Sequence, residues 1–201
     1  MATAPVTLVY LMGHGYSGST LVTMLLNAHP GIATVGEMGI AKQSDPDPTL
    51  FRCSCQALVG DCPFWRRVSR EMATLGHTFD IRAGDLLFPY GDTLADRLLT
   101  AHTRHYALEY LRALGIAWHP VARRRREEVL ARNRAFIQVT TAMKGCNVFV
   151  DSGNSRDRIA DETNFVGAES VLVLTHRKDT VRNGKVFPSY DSKNAGKREG
   201  F

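Results

Sequence analysis

Residues 6 to 12, VTLVYLM, form a nearly unbroken run of apolar, β-favouring residues that passes straight into GHGYSGST. A run of that kind suits a strand buried on both faces of a parallel sheet, because a sheet with one wet face would alternate apolar and polar residues. The glycines permit a sharp turn, and Leu21, Val22, Leu25 and Leu26 then recur at helical spacing over residues 19 to 28. His29-Pro30 and Gly31 stop that helix, and IATV, residues 32 to 35, reads as a second strand ending at Gly36-Glu37. Strand, glycine turn, helix, strand is the opening of an α/β fold.

The chain has 201 residues, enough for a single domain spanning 1–201 with one core. Residues 41 to 62 contain Asp45-Pro46-Asp47-Pro48 and three cysteines, and they read as a long surface excursion. A helix is expected over about 64 to 75. A longer one is expected from about 93 to 114, capped by Asp92, closed by Gly115 and turning Leu94, Leu98, Ala101, Leu108 and Leu111 inward. A third helix should cover about 121 to 143 and end at Gly145. NVFVD (147 to 151) and SVLVLTHR (170 to 177) read as further buried strands, with a helical segment around 156 to 165 between them. The tail, with Lys178, Lys185, Lys193 and Lys197, is weakly patterned.

Composition excludes several classes. With 44% hydrophobic and 22% charged residues, the chain is neither disordered as a whole nor fibrous. Its first apolar run is too short to span a bilayer and lacks the basic residues that precede a secretion signal, so a cytoplasmic location with no membrane span is expected. Four cysteines are too few for a secreted disulfide scaffold. The net charge of +5 is compatible with an anionic ligand but selects none. Arg123 to Arg126 lead into Glu127-Glu128 without interleaved aromatic residues, which reads as a solvated helix face rather than a nucleic-acid contact.

GHGYSGST fits two phosphate-binding patterns at once. Gly13, Gly15 and Gly18 satisfy G-x-G-x-x-G, while Gly13 and Gly18 followed by Ser19-Thr20 nearly satisfy G-x-x-x-x-G-K-[ST]. Both place backbone amides and a helix N-terminus around an anion. A nucleoside triphosphatase needs lysine where Ser19 stands. A dinucleotide site needs a ribose-binding carboxylate after the second strand, and Glu37, nineteen residues beyond Gly18, is so placed.

A third reading takes in more of the chain. YSGSTLVTMLLNAHPGIATVGE resembles the 5′-phosphosulfate loop, first helix and following strand of the P-loop sulfotransferases, which use 3′-phosphoadenosine 5′-phosphosulfate (PAPS). In that family the loop reads roughly [KR]-S-G-[ST]-[ST]. Here Tyr16 takes the place of the basic residue before Ser17, Gly18, Ser19 and Thr20. CSC with DCPFW is similar to the CSCG…CPFW stretch of bacterial members, NVFVDSGNS to a strand ending in Asp-Ser-Ser-Lys, and VLVLTHRKD to the strand and turn bearing a 3′-phosphate arginine. Asn154 stands at the lysine position, and Lys185 at that of a second 3′-phosphate ligand, normally serine. Relatives continue well past this point, so the resemblance implies a chain shortened at its C-terminus.

The resemblance implies a P-loop-like three-layer α/β/α fold with a central parallel sheet and additional long helices. It also implies sulfuryl transfer from PAPS to a hydroxyl or amine of a small-molecule, carbohydrate or lipid acceptor, with no metal required. Gly15, Tyr16, Ser17, Gly18, Ser19 and Thr20 would hold the phosphosulfate, Arg177 and Lys185 the 3′-phosphate, and Glu37 would take the acceptor's proton. Tyr16 and His14 would lie beside the transferring group, His14 either donating to the sulfate or facing solvent. An NAD(P)-dependent oxidoreductase and a nucleotide-binding remnant without turnover remain the alternatives. Cys53, Cys55 and Cys62 could supply three zinc ligands with a fourth from His77 or elsewhere, but C-x-C-x6-C is not a standard structural-zinc spacing, and packed thiols or a disulfide is the expectation. His105, between Leu98 and Leu108 in the helical register, reads as a partly buried structural imidazole.

Overall fold

A computed structural model describes residues 6–12, 18–36, 52–88, 91–101, 106–152, 171–175, 180–182 and 185–187. The first apolar run is strand β1 (Thr7–Met12), followed by helix α1 (Ser19–Asn27) and strand β2 (Ile32–Thr34). Helices α2 (Pro63–Thr74), α3 (Leu94–Thr100), α4 (Tyr106–Trp118) and α5 (Pro120–Lys144) come next. Strands β3 (Val148–Asp151) and β4 (Val171–Thr175) follow. The architecture is mixed α/β. β2, β3 and β1 make a small parallel sheet, which β4 extends in parallel beside β1, giving the order β2-β3-β1-β4.

The register puts Leu8 beside Phe149 and Val9 beside Val150, so alternate residues of each strand share a face. Val9, Leu11 and Val150 pack with Val22 and Leu26 of α1. Leu8, Ala33 and Phe149 pack instead with Phe136, Ile137 and Val139 of α5 and with Val68 and Met72 of α2. Each face is therefore covered by different helices, as the lack of alternation in VTLVYLM requires. Aromatic rings bind this second face together: Trp65 stacks on Phe136 at a centroid distance of 6.1 Å, and Phe136 meets Phe149 edge-on at 6.2 Å.

Helix ends follow local chemistry. His119 Nδ1 accepts from the Ala122 amide at 3.3 Å and Pro120 opens α5. Gly145, at φ 70°, closes it in the left-handed conformation.

The single helix expected over 93 to 114 is two helices, α3 and α4. Thr93, not Asp92, caps α3: its Oγ1 accepts from the Asp96 amide at 3.2 Å and donates to Asp96 Oδ2 at 2.5 Å. The expected inward face is not the buried one: Leu94, Leu108 and Leu111 are 62%, 50% and 59% exposed and Ala101 is exposed, Leu98 is partly buried, and Ala95, Leu99 and Ile116 are buried instead. Gly115 lies inside α4 rather than closing it. A Cβ there would stand 3.1 Å from Leu98 Cδ2, so the glycine lets α3 approach. Arg112 Nη1 donates to the Leu98 carbonyl at 3.0 Å, tying the two helices, and Arg125 of α5 pairs with the buried carboxylate of Asp96. Arg124, by contrast, is exposed and pairs with Glu128 at 2.9 Å, in keeping with a solvated face.

Two further expectations need correction. Of the excursion over 41 to 62, the described part, 52–62, is not all surface, since Val59 and Cys62 are buried. The tail after residue 177 contains an antiparallel pair, β5 (Thr180–Arg182) with β6 (Lys185–Phe187). His105 and the segment 156 to 165 lie outside the described residues. Among those described, no helix is long and apolar enough to cross a membrane.

Two outcomes follow from the α3 cap. Thr93→Ala should cost about 1 kcal/mol in a denaturant titration, as loss of a helix cap does, while Asp92→Ala leaves stability unchanged. The hydrogen bond from Thr93, and beyond it Arg125, hold the Asp96 carboxyl below its usual range despite burial. The resulting stabilisation is complete above the unfolded-state value of about 3.9 and is lost as pH falls through the lowered native value. Thermal melts should therefore show a flatter acid limb for Asp96→Asn than for the wild type.

Candidate functional site

The carboxyl ends of parallel strands are where α/β folds place ligands, because each strand there hands over to a loop and the next helix begins with its amides exposed. A cavity of about 800 Å³ lies against these ends, a volume within the usual range for small-molecule sites. Ser19 and Thr20 of α1 line it, with Gly36 after β2 and Ser152 after β3. The Ser152 amide donates to the Gly36 carbonyl at 3.2 Å, which fixes the two strand ends side by side.

Gly18 makes the turn into α1. It stands at the N-cap with φ 84°, a left-handed conformation that costs a residue with a Cβ about 1 to 2 kcal/mol. Its carbonyl accepts from the Val22 amide at 3.1 Å, and Thr23 Oγ1 donates to the Ser19 carbonyl at 2.7 Å. No acidic residue stands in the first turn of α1, so the positive end of the helix dipole is not neutralised from within the helix. An anion reaching this point would meet hydroxyls and a helix N-terminus.

Of the residues expected to hold a phosphosulfate, Gly18, Ser19 and Thr20 are therefore brought to the strand ends. His14, Gly15, Tyr16, Ser17, Glu37 and Arg177 lie outside the described residues, although Glu37 directly follows the cavity-lining Gly36. Lys185 falls in β6, opposite Arg182.

The cavity continues along α1 as far as Asn27, where Lys144, at the end of α5, donates from Nζ to the Asn27 carbonyl at 2.5 Å and to its Oδ1 at 3.0 Å. Thr140, Met143 and Lys144 line this end, and sequence reasoning assigned them no role. No local signal marks them: 117 positions separate Lys144 from Asn27, and only the packing of α5 under the sheet joins them.

The remaining wall is the segment after Arg52. Cys53, Cys55 and Cys62 all line the cavity, all are free thiols, and their sulfur atoms lie within 4.8 Å of one another. His77 is not among them. Burial pushes the Cys53 thiol up, but the Cys55 amide, the Cys62 and Cys55 thiols and the Ser54 hydroxyl together outweigh it and hold Cys53 below the ordinary thiol value. Cys62 goes the other way. Burial raises it, and the Cys53 and Cys55 thiols add to the rise against the opposing amides of Trp65 and Phe64. A shallower depression of about 470 Å³ over Pro120, Val121, Arg124, Arg125 and Glu128 shares no residue with this cavity.

Comparison with protein-family models, with curated proteins and with solved structures gives no match.

The Gly18 turn supplies a direct check. Among the described residues a Cβ at Gly18 has nothing within 4 Å, so the effect of Gly18→Ala there is backbone strain. A loss of about 1 kcal/mol in thermal or denaturant unfolding is expected, and Gly18→Asn should lose less.

Proposed function

We propose that the chain is a PAPS-dependent sulfotransferase of P-loop-like three-layer α/β/α type, with the acceptor held in the cavity beside α1. The observation that carries this reading is the convergence of Ser19, Thr20, Gly36 and Ser152 on one cavity at the carboxyl ends of the sheet. Those four positions belong to, or adjoin, the three blocks of sequence that resemble the family: the loop, the strand before Glu37, and the strand ending DSGNS.

The strand order supports it over a dinucleotide enzyme. In the dinucleotide fold the second strand pairs with the first, which brings its terminal carboxylate to the ribose. Here β3 stands between β1 and β2, so the strand leading to Glu37 is displaced by two strand spacings, about 10 Å, from the glycine loop's own strand. That gap suits a donor at α1 and an acceptor between it and Glu37.

In the reaction the acceptor oxygen or nitrogen attacks sulfur, the bond from sulfur to the bridging phosphate oxygen breaks, and the nucleotide leaves as adenosine 3′,5′-bisphosphate. Negative charge grows on that phosphate as the bond breaks. The hydroxyls of Ser19 and Thr20 and the start of α1 are the groups this chain offers to it. Glu37 takes the acceptor's proton. Arg177 and Lys185 bind the 3′-phosphate, and Tyr16 and His14 flank the sulfuryl group.

Adenosine 3′,5′-bisphosphate at a hundred times its Kd should stabilise the protein by about 2.7 kcal/mol, read as a rise in Tm, with no rise from NAD or ATP. Glu37→Gln should keep that rise and lose transfer of labelled sulfate to a panel of sugars, phenols and lipids. A rise with NAD alone, or none with the bisphosphate, would overturn the reading. Bisphosphate binding without transfer by the wild type to any acceptor would leave a nucleotide-binding remnant instead.

A further inference from the structure

We infer that Cys53, Cys55 and Cys62 form a binding site for one soft or borderline divalent cation, of which zinc is the natural occupant. The proposal is independent of the nucleotide reading and rests on how the chain folds between Arg52 and α2.

Linear spacing gives C-x-C-x6-C little weight, because a six-residue gap does not by itself return the third cysteine to the first two. The fold returns it. An antiparallel bridge joins Arg52 and Leu58, and the Cys53 amide donates to the Ala57 carbonyl at 2.9 Å. The Gln56 amide donates back to the Cys53 carbonyl at 2.8 Å, closing a tight turn. Gln56 carries φ 70° and is the one residue other than glycine with positive φ among those described. A 3-10 turn, Val59–Asp61, then reverses the chain so that Cys62 arrives at the N-cap of α2.

The result is three sulfurs on a braced frame. Cys55 and Cys62 are 3.6 Å apart, and all three sulfurs lie within 4.8 Å of one another. Thiolates at about 2.3 Å from a tetrahedral zinc stand about 3.8 Å from each other, so little side-chain movement separates this arrangement from a ligand set. Cys62 is fully buried, and Trp65, one turn into α2, stacks on Phe136 in the core, which anchors the third ligand.

Charge is accommodated too. A divalent ion on three thiolates leaves one net negative charge, and the N-terminus of α2, Arg52 and Lys144 bring positive potential to the same cavity. No fourth His, Cys, Asp or Glu among the described residues joins the group. The remaining position is thus open to a water or to a donor atom on a molecule in the cavity. Binding converts three thiols to thiolates and releases their protons.

The test uses the full chain, reduced and freed of metal, titrated with cobalt(II). One equivalent should bind, with sulfur-to-cobalt charge-transfer absorption, tetrahedral visible bands and release of about three protons, and zinc should displace it. Cys55→Ser, at an exposed position, should weaken binding by more than about 100-fold while far-ultraviolet circular dichroism stays unchanged. Cys146→Ser should bind as the wild type does. Failure of the wild type to take up a stoichiometric ion, or unchanged affinity in Cys55→Ser, would overturn the proposal. So would protein isolated without reductant that carries a Cys55–Cys62 disulfide and no metal.

Discussion

A parallel sheet with apolar residues on both faces has to be covered twice. That requirement organises most of this molecule. α1 covers the face bearing Val9, Leu11 and Val150, and α5 with α2 covers the face bearing Leu8, Ala33 and Phe149. Because parallel strands all end at the same side, the start of α1, Gly36 and Ser152 come to a common edge. The aromatic contacts from Trp65 through Phe136 to Phe149 carry the position of α2, and so of Cys62 at its start, into the sheet.

The cavity that results has two chemically different ends. At one, Ser19, Thr20 and a helix N-terminus with no acid in its own first turn suit an oxyanion. Its other wall carries three thiols and two cations, Arg52 and Lys144, each already engaged with a carbonyl. α1 rises about 12 Å between Ser19 and Asn27, where Lys144 binds, so the cavity runs that far along the helix. The gap of about 800 Å³ lies between α1, the strand ends, the cysteine segment and the end of α5.

Much of the fold was legible in local chemistry. β1, α1, β2, α2, α5, β3 and β4 each fall within a residue or two of where apolar patterning and stops such as Gly145 place them. The break between α3 and α4 was not legible, because leucines recur at helical spacing on both sides of it and only the fold shows α3 ending at Thr100, with extended backbone at Ala101. The candidate site was legible where it is local, as in Gly18-Ser19-Thr20, whose positive φ and helix start follow from residue type alone.

Sequence alone determined that a strand would feed a glycine turn and a helix, since backbone freedom and apolar periodicity act over a few neighbouring residues. The tertiary structure decided which strands became neighbours, and so that β3 would separate β1 from β2. It also decided that Lys144 would reach Asn27, and that Cys62 would return to Cys53 and Cys55. Those outcomes depend on which buried faces can cover one another at full density, a condition set by the whole chain at once.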